Sequence, residues 1–162
     1  MVAAAVAQVV PTPLVRQRKN KRKKKKMIKI TFVCHGNICR SPMAEFMMKD
    51  LVKKEGRESE FLISSCAVST EEIGNPVYPP AKAELKKHGI ACEGKRAQLL
   101  TEADGEKYDL FLCMDESNLR RAKRILGERN AYKCRKLLEE RDVADPWYTG
   151  NFERTYEDIL KG

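Results

Sequence analysis

Within TFVCHGNICRSPMAE, residues 31–45, a cysteine and an arginine stand six positions apart, Cys34 and Arg40, with Gly36 and Asn37 between them and Ser41-Pro42 directly after. Of the six cysteines, only Cys34 has an arginine at that offset. A loop that winds onto a helix start gathers its backbone N–H groups into one concavity, and the helix dipole adds partial positive charge there. Such a turn binds anions. Arg40 would add a planar fork that matches two oxygens of a phosphate, which lysine cannot do. The same field favours a thiolate at Cys34, a nucleophile able to attack the phosphorus of a bound monoester in line. An alkoxide or phenolate leaves with difficulty unless an acid protonates it. Asp145, in DPWYTG, is the best candidate for that acid: Pro146 stiffens its loop, Trp147 and Tyr148 offer flat apolar walls, and Gly150 allows the turn.

Two kinds of element must position these groups. The β-branched, apolar run MIKITFV at 27–33 predicts a buried strand ending ahead of Gly36. A helix should follow, with Ser41 as its cap and Pro42 in its first position, burying Ala44, Met47, Met48, Leu51 and Val52 on one face and stopping at Gly56. FLISSC at 61–66 predicts a second strand, PPAKAELKKHGI at 79–90 a helix stopped by Gly89, and YDLFLCM at 108–114 a third strand. Asp115 should cap a helix running to Leu126, with Leu119, Ala122, Ile125 and Leu126 inward. CRKLL at 134–138 reads as a short fourth strand, and NFERTYEDIL as a closing helix that buries Phe152, Tyr156, Ile159 and Leu160. Strands alternating with helices specify an α/β fold: one domain, with a four-stranded parallel sheet covered by helices on both faces and the phosphate-binding loop after the first strand. Ligands of such sheets bind beyond the carboxyl ends of the strands, where residues 34–41 and the loop VADPWYTGN fall.

The formal charge of +9 invites a nucleic-acid or membrane reading. Residues 1–26, however, hold nine Lys and Arg and no acid, leaving 23 cations against 23 acids in the rest of the chain. The basic character belongs to this N-terminal segment, which reads as a disordered extension or a translated leader ahead of Met27; residues 27–162 form the domain. Nucleic acid is not expected as a partner except through that tail. The tail places its apolar residues before its charges, the reverse of a secretory signal, and its apolar stretch is too short to span a bilayer. Cysteines without a secretory signal imply free thiols in a reducing, cytoplasmic compartment, and none is paired at C-x-x-C spacing for zinc. No metal, cofactor or membrane partner is expected.

VCHGNICRSP together with DPWYTG resembles the low-molecular-weight protein tyrosine phosphatase family, and GNPVYPPAKAELKKHGI and YDLFLCMDESNLR look like its intervening segments; the resemblance covers residues 27 to about 160. It implies hydrolysis of O-phosphotyrosine monoesters, in a protein or a small aryl phosphate, with Cys34 as nucleophile, Arg40 as phosphate clamp and Asp145 as general acid and base. His35, Gly36, Asn37, Ile38, Cys39 and Ser41 would form the phosphate loop, and Trp147 and Tyr148 the pocket wall. Asn37 and Ser41 would hold the loop's shape, Ser41 also assisting the thiolate, with Ser65 behind them. Cys39 would either pack at the base of the loop or capture oxidised Cys34 as a disulfide.

The chain departs from the family in two places. Lys95 stands near a histidine that braces the loop in many relatives. Glu71 stands near an aromatic residue of the pocket mouth, and with Glu72 should repel acidic substrates. Two rival chemistries on the same scaffold are dephosphorylation of phosphoarginine, which goes with a threonine where this chain has Ile38, and arsenate reduction through a thiol relay, for which Cys92 is the candidate.

Overall fold

A computed structural model of the protein describes residues 26–162. The tail assigned to residues 1–26 therefore lies, apart from Lys26, outside the described residues. Four strands, β1 (Ile28–Cys34), β2 (Phe61–Ala67), β3 (Leu110–Cys113) and β4 (Cys134–Lys136), form one sheet in the order β2-β1-β3-β4. All three pairings are parallel, with Phe32 opposite Ser65 on one side and Leu112 on the other. Among the described residues there are six α-helices, α1 (Arg40–Lys54), α2 (Pro79–Lys87), α3 (Asp104–Lys107), α4 (Glu116–Leu126), α5 (Pro146–Thr149) and α6 (Phe152–Lys161), with two short 3-10 turns at Glu58–Glu60 and Ala131–Lys133.

Alternation along the strands decides which face each helix covers. Ile30, Phe32, Leu112 and Met114 point into a core shared with Met43, Met47 and Met48 of α1, Leu85 of α2 and Ile159 of α6. The intervening residues Val33, Phe111 and Cys113 point the other way, into a smaller core with Ala122 and Leu126 of α4. β1 is central, so it is buried on both sides and reads as an unbroken apolar run.

The third strand is shorter than expected, Leu110–Cys113, and the helix from Pro79 ends at Lys87; three further differences have a local reason. The fourth strand stops at Lys136 instead of residue 138 because the chain leaves β3 there, the Leu137 N–H still donating to the Cys113 carbonyl. Leu160 is 54% exposed, while Thr155 and Asp158 of the same helix are buried. The buried face of α6 carries polar groups because they fasten the 141–144 segment: Asp158 Oδ2 accepts from the Ala144 N–H, and Thr155 Oγ1 donates to the Ala144 carbonyl. Helix α1 begins at Arg40 with Cys39 at its N-cap position and no capping side chain. Ser41 is thus inside the first turn and is no cap; its hydroxyl is engaged elsewhere.

β1 sits between β2 and β3, and the chain runs from β1 to β2 on one side and then returns to β3 on the other. A crevice opens at such a reversal, beyond the carboxyl ends of the two strands. Cys34 ends β1 and Asp115 lies just past β3, so both stand at its edge.

Candidate active site

Between β1 and α1 the chain makes a tight loop whose carbonyls are tied down by neighbours: Cys34 O accepts from the Val68 N–H, His35 O from Ser69 and Ile38 O from Tyr78. With those three carbonyls engaged by neighbouring segments, the Asn37 N–H donates inward, to Cys34 Sγ. Helix α1 then starts without a capping side chain and without an acid in its first turn. Helix starts leave N–H groups without intrahelical partners, so an uncapped start over a cavity is a site for an anion.

Asn37 sets the loop's curvature. It is the one non-glycine with positive φ among the described residues, at 60°, a conformation that asparagine tolerates better than most side chains. Its amide is fully committed: Nδ2 donates to Ser41 Oγ and Ser65 Oγ, both at 2.8 Å, and Oδ1 accepts from the Gln98 N–H at 3.1 Å. Behind it, Ser65 Oγ donates to Glu45 Oε1 at 2.6 Å. Lys95 Nζ lies 3.0 Å from that same Glu45 oxygen and donates to the Ser65 carbonyl at 3.0 Å. The Lys95 and Glu45 side chains are 8% and 4% exposed, so this is a buried ion pair. Sequence reasoning placed Ser65 behind the loop; it missed Glu45, whose helical position among apolar neighbours carries no signal of a polar role, and gave Lys95 no partner.

The network ends at Cys34. Its Sγ is 2.9 Å from Ser41 Oγ and accepts from the Asn37 backbone N–H at 3.3 Å. Cys34 is buried at the floor of a cavity of about 320 Å³ that His35, Gly36, Ile38, Cys39, Arg40, Asp145, Trp147 and Tyr148 also line. Asn37 and Ser41 do not line it; they are 1% and 0% exposed and support the loop from behind. Cys39 is buried, and its thiol is pushed up to about 12, first by burial and then by the charge of Cys34, so it stays protonated at neutral pH. Cys92 is buried and is not among the cavity's lining residues.

Arg40 is 3% exposed and aimed by three acceptors. Its NH1 donates to Asp115 Oδ2 at 2.9 Å and to the Val143 carbonyl at 3.2 Å, and its NH2 to Asp145 Oδ2 at 3.3 Å. Burial works against the guanidinium charge, but Cys34, Asp145 and Asp115 more than offset it and raise its pKa. Asp115 does what the sequence assigned, accepting from the Asn118 N–H at 2.7 Å to cap α4. It also lines the cavity and holds Arg40 with its other oxygen, a role its cap position concealed.

Asp145 caps the short helix α5, its Oδ1 accepting from the Trp147 N–H, which leaves Oδ2 beside Arg40 at the cavity. The segment leading to it is pinned to the sheet by the Val143 N–H on the Met114 carbonyl. Trp147 and Tyr148 are 58% and 85% exposed, forming a wall above the floor. Tyr78 backs Trp147 with ring centroids 5.3 Å apart, an aromatic support unassigned at the level of sequence.

The family model for low molecular weight phosphotyrosine protein phosphatase matches residues 29–162. The low molecular weight phosphotyrosine protein phosphatase of Gallus gallus is 42% identical over 142 residues, covering 82% of this chain and 89% of its own. The low molecular weight protein-tyrosine-phosphatase YfkJ of Bacillus subtilis is 37% identical over 142 residues, covering 84% and 91%. The crystal structure of YfkJ superposes with a TM-score of 0.82 at 35% identity, covering 86% of this chain and 91% of that one. With the match spanning β1 through α6, and with it the loop, the aspartates and the aromatic wall, the chain belongs to the low molecular weight phosphotyrosine protein phosphatase family.

Proposed function

We propose that this protein hydrolyses phosphotyrosine monoesters in two steps, with Cys34 as the nucleophile, Arg40 as the phosphate clamp and Asp145 as the proton donor and acceptor. The observation that carries the reading is Cys34 Sγ held between Ser41 Oγ and the Asn37 N–H beneath an uncapped helix start, with Arg40 and Asp145 lining the same cavity. In the first step the thiolate's electron pair forms an S–P bond as the P–O bond to the phenol breaks. The Asp145 carboxyl gives its proton to the departing oxygen, and Arg40 and the loop N–H groups stabilise the equatorial oxygens. In the second step Asp145, now a carboxylate, takes a proton from water; the water oxygen bonds to phosphorus, the S–P bond breaks, and inorganic phosphate leaves with the thiolate regenerated.

The apolar wall supports an aryl leaving group. Ile38, Trp147 and Tyr148 line the cavity above the floor, offering flat and branched apolar surface where a phenol ring would lie. The relatives above are named as tyrosine phosphatases, the Gallus gallus protein for phosphotyrosine itself. Phosphoarginine is disfavoured by Ile38, which stands where the family resemblance puts a threonine for that substrate.

Cys34→Ser tests the assignment. Turnover of p-nitrophenyl phosphate should fall by at least about 10⁴-fold, as removal of a nucleophile does elsewhere, while inorganic phosphate still binds. Substantial residual turnover would remove Cys34 from the role.

A further inference from the structure

The mouth of the cavity is charged asymmetrically. Glu71 and Glu72 line it on one side of His35. On the other side Arg121, on α4, lies with NH1 3.2 Å from His35 Nδ1, while His35 Nε2 is 3.2 Å from Glu71 Oε2. The guanidinium has only donors, so Nδ1 is the acceptor of this pair and the Nε2–H donates to Glu71. The imidazole is therefore a fixed spacer between an acid and a base.

The basic end extends further. Ser117 lines the cavity, and Arg121 and Arg124 follow it at i+4 and i+7, which on a helix is one stripe rising roughly 10 Å from the mouth. Both arginines are exposed, and neither is ion-paired with an acidic side chain among the described residues. Trp147 and Tyr148 supply the aromatic part of the same cavity lining. A phosphotyrosine ring inserted between arc and wall would leave its peptide crossing the mouth. Extended chain advances about 3.3 Å per residue, so side chains two and three positions from the phosphotyrosine reach the ends of the arc.

We propose that this rim reads the charge of the residues flanking phosphotyrosine, taking a peptide whose acidic residues lie on one side only, over Arg121 and Arg124, with neutral or basic residues over Glu71 and Glu72. The inference rests on the phosphatase reading of the site. It sharpens the expectation that the two glutamates repel acidic substrates: the repulsion applies to one flank, and the other attracts them.

The test uses two mirror-image phosphotyrosine peptides, one with two aspartates at the second and third positions before the phosphotyrosine and two lysines at those positions after it, the other reversed. Wild type should prefer one of them in kcat/KM by at least about fivefold at low salt, the scale of one or two exposed charge contacts. The ratio should fall toward unity at about 0.5 M salt, where screening shortens to a few ångströms. Arg121→Glu combined with Arg124→Glu should reverse or abolish the preference, and Glu71→Gln with Glu72→Gln should weaken it. Each ratio is internal to one variant, so a general change in activity cancels. A ratio within about twofold in wild type, or one unmoved by the arginine reversals, overturns the proposal. p-Nitrophenyl phosphate, which has no flanks, separates the two levels: hydrolysis of it with a ratio of unity refutes the rim alone, and failure to hydrolyse it refutes the phosphatase reading and the rim with it.

Discussion

The Ser41 hydroxyl has a single hydrogen, and because Asn37 Nδ2 already donates to its oxygen, that hydrogen is free to point at Cys34 Sγ 2.9 Å away. A thiolate there would accept from Ser41 and from the Asn37 N–H together. What keeps Asn37 in place is the line through Ser65 to the Lys95–Glu45 pair. Lys95→Met would leave the Glu45 carboxylate buried, with Lys49 as its remaining cation, and should cost about 3–5 kcal/mol in denaturant unfolding. Glu45→Gln added to it should recover much of that loss, since the cost arises from a buried carboxylate that has lost its buried counter-charge and keeps only the half-exposed Lys49, rather than from volume. Asp145 makes a separate prediction. Asp145→Ala should lower kcat/KM on phosphotyrosine by about 10²–10⁴-fold and remove the fall in rate on the alkaline side of the pH profile. The loss should be smaller on p-nitrophenyl phosphate, whose leaving group departs more readily without a proton.

Among the elements, α4 carries the most consequences for the site. Its N-cap, Asp115, shares one carboxylate between the helix start and Arg40, so the orientation of the clamp depends on the position of the helix. Asp115→Ala removes both contacts and should destabilise the protein by about 3 kcal/mol, a lost cap plus a broken, largely buried pair. Asp115→Asn keeps an oxygen for the Asn118 N–H but turns an amide NH2, a donor, toward Arg40 NH1 in place of the accepting oxygen; the cap's share of the stability should remain while the KM for an aryl phosphate rises about tenfold. Unfolding and steady-state kinetics on the two variants distinguish cap from clamp. Helix α1 shows the complementary case. An ordinary capping side chain at its start would fill the anion site, and Ser41 is instead drawn inward to the sulfur.

Across the molecule, the loop bearing Asp145 is fastened to α6 through Asp158, whose carboxylate accepts from Arg141 at 2.7 Å and from the Ala144 N–H at 3.1 Å. The Arg141 hydrogen bond is the main reason its pKa lies below the usual carboxylate range, and the Ala144 N–H adds to it against the cost of burial. A carboxylate with a depressed folded-state pKa contributes stability that is fully present above its unfolded value and lost as pH falls through the folded one. Asp158→Asn should therefore lower the denaturation midpoint at neutral pH, and the difference from wild type should begin to shrink only as pH falls below about 4, toward the depressed folded-state value. At this scale also, no helix among the described residues is long and apolar enough to cross a membrane.

The strand–helix alternation, the parallel sheet and the pairing of Cys34 with Arg40 were legible in the sequence because each rests on local pattern: apolar runs of strand length, helix stops at glycine, and a loop whose residue types suit one anion; Asp145, 105 residues beyond Arg40, was reached instead from the acid the chemistry needs and from the DPWYTG motif. The buried relay from Lys95 to Cys34 was not, since Glu45, Ser65 and Lys95 are 20 and 30 residues apart and meet only when β2 pairs with β1 and α1 folds over them. For the same reason Asp115 looked like a cap alone and Leu160 like a core residue. Sequence spacing determines which side chains share a face; what lies opposite that face is set by the order of strands in the sheet, and here that order put Asp115 behind Arg40 and Arg121 beside His35.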